Sequence, residues 1–256
     1  MNPELIVKAA LDIGAAMLKA GAETIRVEDT ITRICRSYYN GRLEVTSYLS
    51  AIFVSMEVTT PDRTEGCPLI VTQHRRVSAV SNNLDKLEEL NSLSRYVCQY
   101  TPEPEEIEKR LQVIQASAPS MRRTLLGYVC ATFGFTIFFG GSALDAVCCS
   151  FISILLYFWE KHLKNRLNND LMHSFLLSLF TGLAACILQL SPLPVHMDKI
   201  MIGIVMLLIP GVALTNSLRD LLTGDLVSGS LKLLNSILLA VAIAMGFALS
   251  MIITGV

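Results

Sequence analysis

The second half of the chain holds five apolar runs, residues 124–141, 143–159, 171–190, 200–214 and 233–253, with few charged side chains inside them. Hydrocarbon offers no partner to a backbone N–H or C=O, so runs of this kind must be helices whose hydrogen bonds close internally. The fourth run is the most informative. It leads into LLIPGVALTNSLRDLLTGDLVSG (residues 207–229), where Pro210-Gly211 interrupts the apolar pattern and Thr215, Asn216, Ser217, Arg219 and Asp220 follow. Proline lacks an amide hydrogen, so the carbonyl of Met206 loses its helical donor, and Gly211 lets the chain bend at little steric cost. Residues 200–214 would rise only about 22 Å as a helix, against about 30 Å of hydrocarbon. The element must therefore continue into the polar segment or break beside it. Broken helices recur at transport sites, where protein or water satisfies the freed backbone. A proline kink followed by an ordinary cytoplasmic loop is the alternative.

Charge divides the chain. Residues 1–120 hold 13 of the 21 Lys and Arg and 16 of the 22 Asp and Glu. The expected architecture is an α+β cytoplasmic domain (residues 1–117) followed by an all-α polytopic membrane domain of about five transmembrane helices (residues 118–256). Glu4, Lys8 and Asp12 recur at helical intervals and break any signal-peptide core, which keeps the N-terminus in the cytoplasm. Arg122 and Arg123 precede the first run, Lys161, Lys164 and Arg166 follow the second, and Arg219 and Lys232 flank the gap between the fourth and fifth. The opposite loops carry only Lys199. By the positive-inside bias the N-terminal domain is cytoplasmic and the C-terminus external. A net charge of −1 gives no reason to expect nucleic acid.

In the first half, residues 3–20 read as an amphipathic helix with Ile6, Ala9, Ala10, Ile13 and Met17 on one face, stopped by Gly21. A second helix covers residues 24–39, with Val27, Ile31, Ile34, Cys35 and Tyr38 inward and Glu28 and Asp29 in its first turns. Residues 43–47 and 51–58 alternate as strands, PDRTEG (residues 61–66) is a turn by composition, and residues 69–72 and 76–80 add further strand. Ser81-Asn82-Asn83 caps a third helix, and Thr101-Pro102 opens a fourth with Glu103, Glu105 and Glu106 in its first turn.

Seven scattered cysteines without a CxxC pair and four dispersed histidines argue against a disulfide framework or a zinc site, and no cofactor is expected. Within the apolar half, Asp145 near the start of the second run is either an interfacial cap or a proton or substrate group. Asn216, Arg219 and Asp220 fall within about one helical turn. Arg219 either pairs with Asp220 or Asp225, or presents a guanidinium to a substrate carboxylate. Glu23, Arg26, Glu28, Asp29 and Arg33 form a charged face whose simplest reading is solvation. Ser47, Ser50, Ser55 and His74 keep a hydrolytic site in the first domain as an alternative, and a regulatory scaffold is another.

GAETIRVEDTITRIC (residues 21–35), NLDKLEELNSLSR (residues 83–95) and PGVALTNSLRDLLTGDLVSG (residues 210–229) together resemble the threonine/serine exporter family. The resemblance covers nearly the whole chain. It implies a multi-pass protein of the bacterial plasma (inner) membrane, not an enzyme, which exports small amino acids or, in some relatives, small carboxylates such as succinate. The longest members carry a second membrane module, so the resemblance implies a second small multi-span membrane protein of the same family, or a homo-oligomer, as partner. Thr215, Asn216, Arg219, Asp220 and Asp145 are the expected substrate-binding residues, with Pro210 and Gly211 forming the helix break.

Overall fold

The computed structural model describes residues 2–48, 50–58, 69–77, 82–117, 120–164, 166–167 and 169–255. The expected turn at residues 61–66 and the capping Ser81 lie outside the described residues. The chain divides into two compact units, Met1–Ala118 with Val212–Leu233, and Pro119–Gly211 with Leu234–Val256. The polar stretch after the proline thus belongs with the N-terminal unit.

In the first unit, α1 (Pro3–Lys19) starts where Asn2 Oδ1 accepts the Glu4 amide at 2.9 Å, with Pro3 at the first helical position. It ends where Gly21 takes φ 92°, returning the Gly21 and Ala22 amides to the Leu18 and Met17 carbonyls. Its spacing predicts one buried face, yet Val7, Leu11, Ala16 and Leu18 are buried as well. The reason is that α1 is enclosed by α2 (Thr24–Tyr38), β2 (Ala51–Val58), β3 (Leu69–Arg76), α3 (Leu84–Tyr100) and α4 (Pro104–Ala116). A Cβ at Gly14 would stand 2.5 Å from Ile31 Cδ1, so the α1–α2 crossing depends on the absence of a side chain there.

α2 buries Val27, Ile31, Ile34 and Cys35, and burial pushes the Cys35 thiol up to about 12, an inert core group. Its first turn holds no acid. Glu28 lies one turn further in, where its carboxylate accepts the Ser47 amide at 2.6 Å instead of serving the helix dipole.

β1 (Leu43–Tyr48), β2 and β3 form an antiparallel meander in the register Val45↔Val54 and Ser55↔Thr72. Ile52, Val54, Met56 and Val58 are the buried face of β2, as their alternation predicts. β3 runs unbroken from Leu69 through Arg76, past the end of the expected strand at 69–72; residues 78–80 of the expected strand at 76–80 lie outside the described residues. Arg75 lies opposite core-facing Ile52 and reaches the Asp12 carboxylate on α1, which supplies the partner a charge on that face requires. Asn83 caps α3 through the Lys86 amide at 3.0 Å, and Glu103 sits just outside α4 as its N-cap.

In the second unit, α5 (Met121–Phe138), α6 (Ala143–Lys164), α7 (Asp170–Gln189), α8 (Met197–Leu208) and the later part of α10 (Leu226–Thr254) surround Cys149, Ile152, Leu156, Ala185, Ile200, Ile204, Ile243 and Phe247. Close approaches rest on small residues. A Cβ at Gly203 would meet Thr136 and Cys149, and one at Gly246 would come 2.6 Å from the Phe175 carbonyl oxygen. The buried hydroxyls of Thr136, Ser153, Thr181 and Ser250 donate to carbonyls three or four residues back on their own helices, so they cost the apolar interior little. Among the described residues three helices, α6, α7 and α10, are long and apolar enough to cross a membrane, or four spans if α8 and α9 (Gly211–Leu222) count as one broken span. The five-span count is not reached on these criteria. α5, with Arg122 and Arg123 in its first turn and Thr132 and Thr136 within, is not among them.

Candidate substrate site

The helix breaks where the sequence places the break. Ile209 takes φ −61° and ψ 131°, the extended conformation that a following proline imposes, and α9 begins at Gly211. At the far end Gly224, with φ 96°, closes α9 by returning the Asp225 amide to the Asp220 carbonyl at 2.9 Å. Asp225 then caps α10 by accepting the Ser228 amide at 3.2 Å. α9 and the start of α10 are thereby joined by a short, fixed corner.

α9 buries polar residues and exposes apolar ones. Ser217 and Asp220 are inaccessible, whereas Val212, Leu218 and Leu222 are exposed. The Ser217 hydroxyl is satisfied by the Leu214 carbonyl at 2.7 Å. Asp220 is met by the ammonium of Lys232, Nζ to Oδ2 2.6 Å, and the pair is almost entirely enclosed. Gly229 makes this corner possible, because a Cβ there would lie 2.9 Å from the Leu221 amide nitrogen. One residue away, and so about 100° round the helix, Arg219 faces elsewhere. Its guanidinium pairs with Glu23 rather than with Asp220 or Asp225. Asn216, one turn earlier, donates Nδ2 to the carbonyl of Gly21 at 3.3 Å. The Arg219 side chain stays 62 % exposed and Glu23 24 %, so this pair is open to solvent where the Asp220–Lys232 pair is not.

Glu28 borders this corner. Burial raises its carboxyl above the ordinary value of 4.5, the Ser47 amide opposes that, and the charge of Asp225 adds to it. Asp145 belongs to the second unit. Its Oδ2 accepts the amide and hydroxyl of Ser142, both at 2.8 Å, while its own amide donates to the Ser142 Oγ at 3.2 Å, a reciprocal cap at the start of α6. The same carboxylate accepts the His196 amide at 2.8 Å, tying the start of α6 to that of α8. The structure therefore brings Asn216, Arg219 and Asp220 together on α9 with Thr215, and gives Asp145 capping partners in the other unit.

A family model described as "Putative threonine/serine exporter" matches residues 8–254. The chain belongs to that family. No curated protein and no solved structure matches it. The match spans the three segments that carry the resemblance, and with the apolar helices it marks a membrane protein of an exporter family.

Glu23, Lys232 and the Gly21 carbonyl were not among the expected site residues. Glu23 reads locally as part of a solvated face because its partner lies 196 residues away, a pairing that no local spacing encodes. Lys232 stands out in the sequence only as a marker of topology. The hydrolytic alternative gains nothing from the geometry: Ser55 is engaged with Thr72 at 3.0 Å, Ser47 is buried, and His74 stacks on Phe53. Among the described residues no cluster of His, Cys, Asp or Glu is suited to a metal ion.

Proposed function

We propose that the chain is one component of a secondary exporter for threonine and serine, and that Arg219 and Glu23 are the groups between which the amino acid passes. The observation that carries this reading is an exposed ion pair on the helix that follows a broken membrane element. Exposed pairs hold together by only about 0–1 kcal/mol, so their partners exchange readily. A zwitterion brings its own pair: its carboxylate takes the guanidinium bidentately and its ammonium takes the released Glu23. A dicarboxylate such as succinate satisfies Arg219 but is repelled by Glu23. The substrate class favoured is therefore small amino acids, with succinate the second choice. The Asp220–Lys232 pair has a different job in this reading, holding α9 in place.

The working unit contains a second small multi-span protein of the same family or further copies of this chain, since transport sites form between two related halves. It lies in the bacterial plasma membrane, and with α5 taken as a fifth span the N-terminus is cytoplasmic and the C-terminus external. The test is counterflow of labelled threonine, serine and succinate in liposomes, with the chain alone and with a co-reconstituted small membrane protein of the family. Arg219→Ala should abolish amino-acid flux, and Glu23→Gln should lower it while sparing or raising succinate flux. Undiminished threonine flux in Arg219→Ala overturns the assignment.

A further inference from the structure

The charged face of α2 does not act as one surface. Glu23 and Glu28 turn toward α9 and the sheet, where Arg219 and the Ser47 amide meet them. Arg26, Asp29 and Arg33, spaced three and four apart, share another strip of the helix. Facing them on α3, Asn91, Arg95 and Gln99 repeat at intervals of four. These six side chains line a cavity of about 530 Å³ between the two helices, with Thr30, Ser94 and Cys98 completing its wall.

Charge in this cavity is unbalanced. Asp29 is taken by Arg33 through two contacts, Nε to Oδ1 at 3.0 Å and Nη2 to Oδ2 at 2.9 Å. Among the described residues, Arg26 and Arg95 make no ion pair; Arg95 donates to the Ser92 hydroxyl at 3.0 Å. Three guanidinium groups against one carboxylate leave an excess of two positive charges around a concave space. Thr30 and Ser94 have already turned their hydroxyls to the Arg26 and Asn91 carbonyls, so the polar groups left to meet a guest are the guanidinium and side-chain amide groups. That set suits a guest with at least two negative charges and several acceptor oxygens. A neutral or zwitterionic amino acid matches it poorly, which separates this cavity from the Arg219–Glu23 pair.

We propose that the α2–α3 cavity is a binding site for a small, multiply charged anion, a phosphate ester or a polycarboxylate, distinct from the transported amino acid. Planar guanidinium forks recognise both groups bidentately, and two arginines on opposing helices, neither in an ion pair among the described residues, can clamp one anion between them. The site adds anion binding to the N-terminal unit, on a different strip of α2 from the end that meets Arg219.

Titration calorimetry on the purified full chain tests this, with pyrophosphate and citrate as probes. Either anion should bind, and whichever binds more tightly separates phosphate from carboxylate chemistry. Arg26→Ala and Arg95→Ala should each weaken binding about tenfold, the scale of one charge-assisted hydrogen bond. Asp29→Asn should strengthen it by removing the one opposing charge and freeing Arg33. Arg42→Ala, at an arginine already paired with Glu44 on the sheet, should leave it unchanged. Absence of binding by both probes at millimolar concentration overturns the proposal. So does an equal loss in Arg42→Ala, which would mean diffuse attraction to a charged surface. Because binding is read on the purified chain, its failure is distinct from any failure of export.

Discussion

Lys232→Met isolates how far α9 depends on its enclosed charge pair. The Lys232 side chain keeps 12 % of its accessible surface and Asp220 keeps 1 %, with 2.6 Å between Nζ and Oδ2. Removing the ammonium leaves a carboxylate stripped of both solvent and this counter-ion. Breaking a buried pair from one side costs about 3–5 kcal/mol. At about 2–4 °C per kcal/mol for a chain of this size, the unfolding midpoint should fall by roughly 6–20 °C. Asp220→Asn should cost less, because the Lys232 stem can carry its charge toward water. The double variant orphans no charge, and neutral replacement of a buried pair is often harmless. It should therefore recover most of the loss. A thiol-reactive dye on detergent-purified protein keeping only Cys35 and Cys149, both fully buried, with the exposed Cys130 and the other cysteines replaced by serine, reports unfolding. If the two single losses are each negligible, or simply add in the double variant, the pair carries no coupling and α9 is held by something else.

Glu28 makes a pH-dependent contribution whose sign follows from its raised carboxyl. The folded state holds that proton more tightly than the unfolded one, so stability falls as pH rises from 4.5 through the raised value. Glu28→Gln should therefore be more stable than the parent at neutral pH, with the difference vanishing below 4.5, as thermal midpoints across pH will show. Gly246→Leu should lower the midpoint sharply, since the Phe175 carbonyl oxygen and the Leu179 nitrogen lie 2.6 and 2.9 Å from an added Cβ, while Gly127→Leu, with nothing within 4 Å, should not. With α5 taken as the first span, an impermeant thiol reagent applied outside cells to a cysteine-free background should label a cysteine placed at Ser191 and not one at Asn165; the opposite pattern either reverses the proposed orientation or removes α5 from the spans.

Whatever depends on local pattern was legible in the sequence. The alternation of Ile52, Val54, Met56 and Val58, the cap at Asn83, the glycine stop at Gly21 and the break before Gly211 all follow from spacing and turn chemistry. What depends on distant partners was not. α1 looked one-sided because its alanines were counted for one face, whereas five elements pack around it and Ala15 and Ala16 are buried too. Arg219 has two acids within six residues and ignores both for Glu23, because only Glu23 lies on the side of α9 that Arg219 faces. Asp145 reads from its position as either an interfacial cap or a proton or substrate group, and Ser142 three residues earlier spells the reciprocal cap that forms. The α2–α3 cavity was also half-visible: each helix shows a polar strip, and only their apposition makes a concave site.

The proline at position 210 is the natural suspect for the break, and Pro210→Ala asks whether it is the cause. Alanine would restore an amide for the Met206 carbonyl and release Ile209 from its extended conformation. A fused helix would gain about three intrahelical hydrogen bonds at about 1 kcal/mol each, less about 1 kcal/mol for Gly211 in a helix interior. Straightening would also carry α9 off its seat, separating Asp220 from Lys232, Asn216 from the Gly21 carbonyl and Arg219 from Glu23. Wherever the displaced helix leaves Asp220 or Lys232 enclosed without its partner, the cost is about 3–5 kcal/mol, against a gain near 2. The seat should therefore win, and the break should persist without the proline. Spin labels at positions 202 and 222, on a background lacking the native cysteines, can read this directly, because a straight helix would hold them about 30 Å apart. Pro210→Ala alone should keep the parent distance, and Pro210→Ala with Lys232→Met should lengthen it toward that limit. Lengthening in the single variant would show that proline, and not the buried pair on α9, holds the segment bent.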